Sequence, residues 1–144
     1  MYNKTVIEYF NNPLNVGELK GANGIGTSKN TNYSDIIKFF VKVDTNGVIE
    51  NATFKSVGCV ATIAISSALT EKLKGLTIEK AAKLDAEKIA NIVEGLPDDK
   101  QYCAILAKEA LDETIKNYKK RILKNSGLKH NILDIKATIK KLKK

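Results

Sequence analysis

Two thiols stand where a helix is about to begin. Cys59 follows the strand-like run Phe54-Lys55-Ser56-Val57-Gly58 and opens the Ala/Ile/Ser-rich stretch from Val60 to Leu69. Cys103 follows the proline loop Gly95-Leu96-Pro97-Asp98-Asp99-Lys100-Gln101-Tyr102 and opens Ala104-Ile105-Leu106-Ala107. The N-terminus of a helix carries partial positive charge, which favours thiolate over thiol. Thiolate is the form that binds soft metals and that attacks or accepts sulfur. The 144-residue chain has 2 cysteines, and their shared context points to one metal or sulfur site. Two alternatives stand beside it. A free cysteine commonly serves as a small buried hydrophobe, and a pair can form a structural disulfide. A disulfide framework, however, normally shows a higher cysteine density in a secreted chain.

The elements that must position these thiols are legible from periodicity and turn chemistry. Residues 3–10 read as a short helix with Val6, Ile7 and Phe10 on one side, ending at Asn11-Asn12-Pro13. Residues 14–34 are rich in Gly and Asn and read as a loop with at most one poor edge strand, because little apolar surface is available to anchor it. A hairpin follows. Ile37, Phe39, Val41 and Val43 alternate on one face, Asp44-Thr45-Asn46-Gly47 turns the chain, and Val48 to Val57 returns.

From Cys59 the period becomes helical. One helix spans 60–74 with Gly75 as its stop, a second starts at the cap Thr77, a third starts at Asp85 and a fourth runs from Cys103 to about Leu123. Strands first and helices afterwards predict an α+β fold, a small antiparallel sheet of about three strands with several helices packed on it. Asn125-Ser126-Gly127 breaks the pattern, so residues 1–124 read as one domain and 125–144 as a separate basic amphipathic helix with Leu128, Ile132, Ile135, Ile139 and Leu142 on one face.

Charge divides the chain the same way. Residues 1–115 carry 13 Lys/Arg and 15 Asp/Glu, whereas residues 116–144 carry 11 Lys/Arg and one acidic residue, Asp134. A nucleic-acid-reading domain would carry its basic stripe on the folded face, so that class is disfavoured. The tail could still bind an acidic partner or an anionic surface. No run of about 18 apolar residues predicts a membrane span. The first residues lack the apolar core of a secretory signal, and a reducing cytoplasm is the expected compartment. No Ser/His/Asp set, phosphate-cradling Gly loop or paired-carboxylate motif stands out, and an enzyme is not expected.

Laid out this way, the chain resembles the NifU-like, IscU-type family of iron–sulfur cluster assembly scaffolds from about Thr5 to Lys120. Asn12-Pro13-Leu14-Asn15-Val16-Gly17 resembles the family's N-terminal Asn-Pro-x-Asn-x-Gly segment. The run Phe54 to Cys59 with Ala61, Ile63-Ala64 and Ser66-Ser67 resembles its second cysteine motif. Gly75 with Thr77 to Ala81 is similar to its connector, and Leu96-Pro97, Lys100 and Cys103 to Ala107 resemble its third cysteine motif. Each piece is weak alone; four in order are specific.

The resemblance implies a scaffold that accepts sulfur from a cysteine desulfurase, combines it with iron and passes a nascent cluster to recipient proteins, often with chaperone help. It also exposes departures. The family's Cys-Gly-Asp motif reads Tyr33-Ser34-Asp35 here, and the histidine before the third cysteine is Tyr102. The implied metal ligands are therefore Asp35, Cys59 and Cys103. Tyr33 and Tyr102 carry phenols of pKa about 10, poor ligands for ferrous iron or zinc, and are expected to fill the vacated space by packing.

Iron–sulfur and zinc sites normally take four donors. The sole histidine, His130, lies in the tail and reads as a surface residue. A homodimer could pool four thiolates around a [2Fe–2S] cluster, or one chain could hold a labile iron or zinc with an outside thiol or water. A third outcome is a homologue that binds a desulfurase or chaperone as regulator or sulfur acceptor and holds no cluster. Cys103 is expected to receive sulfur, because it matches the family cysteine nearest the histidine and because Lys100 and the helix end could stabilise its thiolate. Asp35 reads as a weak ligand that lets a cluster leave, or as a plain turn carboxylate.

Overall fold

The alternation around Phe39 becomes the middle strand of a three-stranded antiparallel sheet. The structure is a computed structural model that describes residues 1–125 and Leu142. Strands β1 (Gly24–Asn30), β2 (Asp35–Val43) and β3 (Ile49–Val57) lie in the order β1-β2-β3. Phe39 pairs with Gly26 on one side and Phe54 on the other, and Ile37, Phe39, Val41 and Val43 are all buried. Their shared face follows from the two-residue period of a strand. The turn between β2 and β3 is built by Asp44, whose carboxylate accepts the N–H groups of Asn46 and Val48, and by Gly47 at φ 80°.

Five helices complete the described chain: α1 (Lys4–Asn11), α2 (Val60–Leu73), α3 (Ile78–Ala82), α4 (Ala86–Ile92) and α5 (Gln101–Asn125), the last preceded by a 3-10 turn at Asp98–Lys100. Helix α2 packs on β3 and α5 on β1 and β2. The expected caps are present: Thr77 accepts the Lys80 N–H at 3.2 Å and Asp85 that of Lys88 at 2.8 Å. Gly75 takes φ 89° just past α2, and its N–H bonds the Ile49 carbonyl, tying the helix end to β3.

Two regions differ from the sequence expectation. Residues 24–30 form a full edge strand, not a poor one. Its anchor is the absence of side chains: a Cβ on Gly26 would run into the backbone of Glu113 and Thr114, and one on Gly24 would stand 2.8 Å from Val41 and 3.0 Å from Tyr118. The strand backbone itself lies against α5, which a count of apolar residues does not register. In α1 only Val6 is buried, while Ile7 and Phe10 stay exposed. What holds that helix is Asn3, which accepts the Val6 N–H at 2.9 Å and donates to the carbonyls of Val93 and Gly95 at 2.9 and 3.0 Å. The basic tail helix expected over 125–144, His130 included, lies outside the described residues apart from Asn125 and Leu142. Among the described residues no helix is long and apolar enough to cross a membrane.

Candidate metal and sulfur site

Three chain segments converge at one end of the sheet. Asp35 is the first residue of β2, Cys59 is the capping residue of α2 and Cys103 is the third residue of α5. The turn that delivers Asp35 is held by Asn30, whose side chain accepts the N–H groups of Asn32 and Tyr33, and by Ser34 at φ 59°. Ser34 thus adopts a left-handed conformation that glycine takes more readily, at the position where the resembled motif has glycine.

The two sulfurs are 4.0 Å apart. Each cysteine sulfur and a carboxylate oxygen of Asp35 lie within 4.8 Å of one another. Among the described residues no other three His, Cys, Asp or Glu donors converge in this way. Both cysteines are free thiols, Cys59 partly exposed and Cys103 buried at 0 % exposure. Two soft donors and one hard donor in such a cluster suit iron or zinc, with a fourth donor supplied from outside the set.

Thr62 stands between these donors, and sequence reasoning missed it. Its hydroxyl donates to Asp35 Oδ2 at 2.7 Å and lies 3.5 Å from each sulfur. Of the other buried hydroxyls of α2, Ser66 donates to the Thr62 carbonyl and Thr70 to that of Ser67, while Ser67 bonds the Leu14 backbone. Thr62 turns outward instead. Gly58 leaves room for it, since a Cβ there would sit 2.7 Å from the Thr62 side chain. The available signal was a hydroxyl three residues after Cys59, on the same side of the helix start. Nothing local to α2 reveals that Asp35 would face it.

The two thiols differ in acidity. Burial pushes the Cys59 thiol up, but the nearby Thr62 hydroxyl, the open backbone N–H groups of Thr62 and Ala61 at the helix start and the Tyr102 hydroxyl outweigh it, lowering the thiol to about 7. Thr62 has one proton and its shortest contact gives it to Asp35, so the helix amides carry much of that effect. Burial pushes Cys103 up to about 11; the contact with Thr62 opposes this, and the charge on Cys59 adds to it. The expected stabilisation of a Cys103 thiolate by the helix end and Lys100 is therefore not what the structure shows. The 3-10 turn starts the helix before Cys103, and the Lys100 ammonium, itself raised, couples first to the charge of Cys59 and then to Tyr2.

The two tyrosines in the vacated positions pack on each other. The Tyr33 and Tyr102 rings stack with centroids 4.3 Å apart at 16°, and Lys100 Nζ lies 5.8 Å from the Tyr102 ring centre. The Tyr102 hydroxyl is 3.9 Å from the Cys59 sulfur. Burial, then the nearby charges of Cys103 and Cys59, raise the Tyr102 phenol well above its ordinary value, so it meets the sulfur as a neutral O–H. Tyr2 is a second residue missed from sequence: burial raises its phenol, followed by the charge of Cys59 and a hydrogen bond to it.

Residues 1–125 match the family described as NifU-like N terminal domain. The chain belongs to that family. An iron–sulfur cluster assembly scaffold protein IscU 1 of Archaeoglobus fulgidus is 38% identical over 144 residues, covering 100% of this chain and 92% of the relative. IscU of Aquifex aeolicus is 43% identical over 118 residues, 81% of this chain and 75% of its own. Among solved structures, a candidate scaffold of the SUF system from Fervidobacterium islandicum superposes with a TM-score of 0.63 at 18% identity, covering 79% of this chain and 96% of that one; at that identity the likeness supports the fold. Within the NifU-like frame, Asp35, Cys59 and Cys103 sit together, as the resemblance implied.

Proposed function

We propose that this NifU-like domain is an iron–sulfur cluster assembly scaffold whose working set is Asp35, Cys59 and Cys103. The observation that carries the reading is the convergence of two sulfurs and a carboxylate within 4.8 Å in a chain of this family. Iron and sulfur are its cargo, and it acts as a carrier, not as an enzyme. Its supplier is a cysteine desulfurase and its clients are recipient apoproteins, with a chaperone as a further partner.

Two thiolates and one carboxylate leave a four-donor site one short. A second copy contributing its own pair of thiolates completes a [2Fe–2S] cluster between two chains. Asp35 is the hard donor whose bond to iron yields first when the cluster departs. Sulfur arriving from outside meets Cys59 before Cys103, because Cys59 is the partly exposed thiol and the one ionised near neutrality. Cys103 then takes part from inside the pocket. A reducing compartment such as the cytoplasm keeps both thiols available.

Anaerobic reconstitution with ferrous iron and sulfide is the direct test. Sulfur-to-iron charge-transfer absorption is expected in the visible, and C59S or C103S should each bleach it. A wild-type chain that stays colourless at every iron-to-sulfide ratio overturns the reading.

A further inference from the structure

Cys103 has one sulfur neighbour within reach. Its own sulfur is buried at 0 % exposure, so an external thiol or disulfide cannot approach it in this conformation, whereas the Cys59 sulfur lies 4.0 Å away. The chain has 2 cysteines and neither is bonded. A disulfide places its sulfurs about 2.05 Å apart, so the present pair must close by about 2 Å to become a covalent one. A persulfide formed on either thiol would thus have its inner sulfur beside the other thiol.

We propose that the pair is a sulfide-releasing dithiol: a persulfide on one of Cys59 and Cys103 is cleaved by the other, leaving a Cys59–Cys103 disulfide and free sulfide. The inference rests on the reading that the site receives sulfur, and it adds how that sulfur reaches the sulfide state.

The step balances without a bound cofactor. With sulfur delivered to Cys59, the species is Cys59–Sγ–SH. The Cys103 sulfur supplies an electron pair to the Cys59 Sγ, the bond between that Sγ and the outer sulfur breaks, and the outer sulfur leaves with the bonding pair. The proton of the Cys103 thiol departs with it, giving hydrogen sulfide. The two cysteines together lose two electrons and the outer sulfur gains two. With sulfur on Cys103 the roles exchange and the products are the same. An external dithiol reductant then returns the disulfide to two thiols by exchange at the partly exposed Cys59 sulfur. Sulfide is released beside Asp35, where iron is held in the proposed function.

The arrangement also accounts for what surrounds the pair. Thr62, 3.5 Å from each sulfur, and the stacked Tyr33–Tyr102 rings offer no competing thiol that could divert the disulfide. Among the described residues no histidine reaches the pocket.

The test uses the full chain, reduced and freed of small thiols under anaerobic conditions, with glutathione persulfide as donor and no iron. Mass spectrometry reads the adduct and a sulfide assay reads the release. The wild type is expected to yield about one sulfide per chain, a loss of two hydrogen masses and a Cys59–Cys103 cross-linked peptide. C103S, with the partly exposed Cys59 alone, should keep a one-sulfur adduct, C59S, with only the buried Cys103, should take up little sulfur, and each should release at least tenfold less sulfide. A wild type that retains a stable persulfide, takes up no sulfur, or releases sulfide no faster than both variants overturns the proposal. Cluster formation from ferrous iron and inorganic sulfide needs no persulfide cleavage. A chain that passes that reconstitution and fails here keeps its scaffold function and loses this step.

Discussion

At the start of α2 the Cys59 sulfur occupies the capping position, level with amides that no carbonyl has claimed. At the start of α5 the Cys103 sulfur lies behind a 3-10 turn, fully buried beside Thr62 and Cys59. Both openings read alike in sequence: a loop, a cysteine, then small apolar residues. Their chemistry diverges because helix-end charge acts through the first free N–H groups and fades within a turn. Being near a helix start is therefore not enough. A thiol must face the open amides to be made acidic, and one that faces the core is made less so.

The largest test of that contrast is alkylation. At pH 8 a thiol near 7 is mostly thiolate and one near 11 is about one part in a thousand ionised. The more basic thiolate is the stronger nucleophile, which returns part of the difference. Iodoacetamide should still modify Cys59 at least about tenfold faster than Cys103, with burial widening the gap. The sign follows from the direction of each shift: Cys59 gains reactivity as pH rises through about 7, and Cys103 only towards about 11. Equal rates at the two sites, read by peptide mass spectrometry, would break the comparison.

Thr62→Val sharpens it. The substitution keeps the shape and removes the hydroxyl that joins Asp35 to both sulfurs. It leaves a buried carboxylate without its donor, and a loss of about 1–3 kcal/mol is expected in urea unfolding. The hydroxyl also lies 3.5 Å from the Cys59 sulfur, and losing that polar neighbour should raise the alkylation midpoint of Cys59 from about 7. If the midpoint does not move, the amides of Ala61 and Thr62 hold the thiolate unaided. An unchanged unfolding midpoint would mean that Asp35 does not depend on this hydroxyl.

Tyr102→Phe gives the smallest effect. The hydroxyl is 3.9 Å from the Cys59 sulfur, so its loss should raise the Cys59 midpoint by less than about one pH unit. The stacked ring remains, and stability should change by under about 1 kcal/mol. A large fall in stability would show that the hydroxyl does more than touch the sulfur.

The hairpin, the caps at Thr77 and Asp85 and the stop at Gly75 were legible because each depends on residues close in sequence. The convergence of Asp35, Cys59 and Cys103 was legible through the resemblance, since no local pattern joins a strand start to two helix starts. Strand β1 was under-read because its anchor is two missing side chains against α5. Thr62 was missed because its partner lies 27 residues away on another element. The acidity expected at Cys103 failed because burial raises that thiol, and because the 3-10 turn starts the helix before it.

Asn3 fixes where the first residues run. Its side-chain amide clamps the carbonyls that end α4, and one residue earlier the Tyr2 phenol meets Cys59. A purification handle joined at Met1 would therefore enter the fold on the doorstep of the thiol pair. Metal content and sulfur uptake measured on such a fusion report on the handle as well as on the protein, so the tag belongs at the opposite terminus or must be cleaved first.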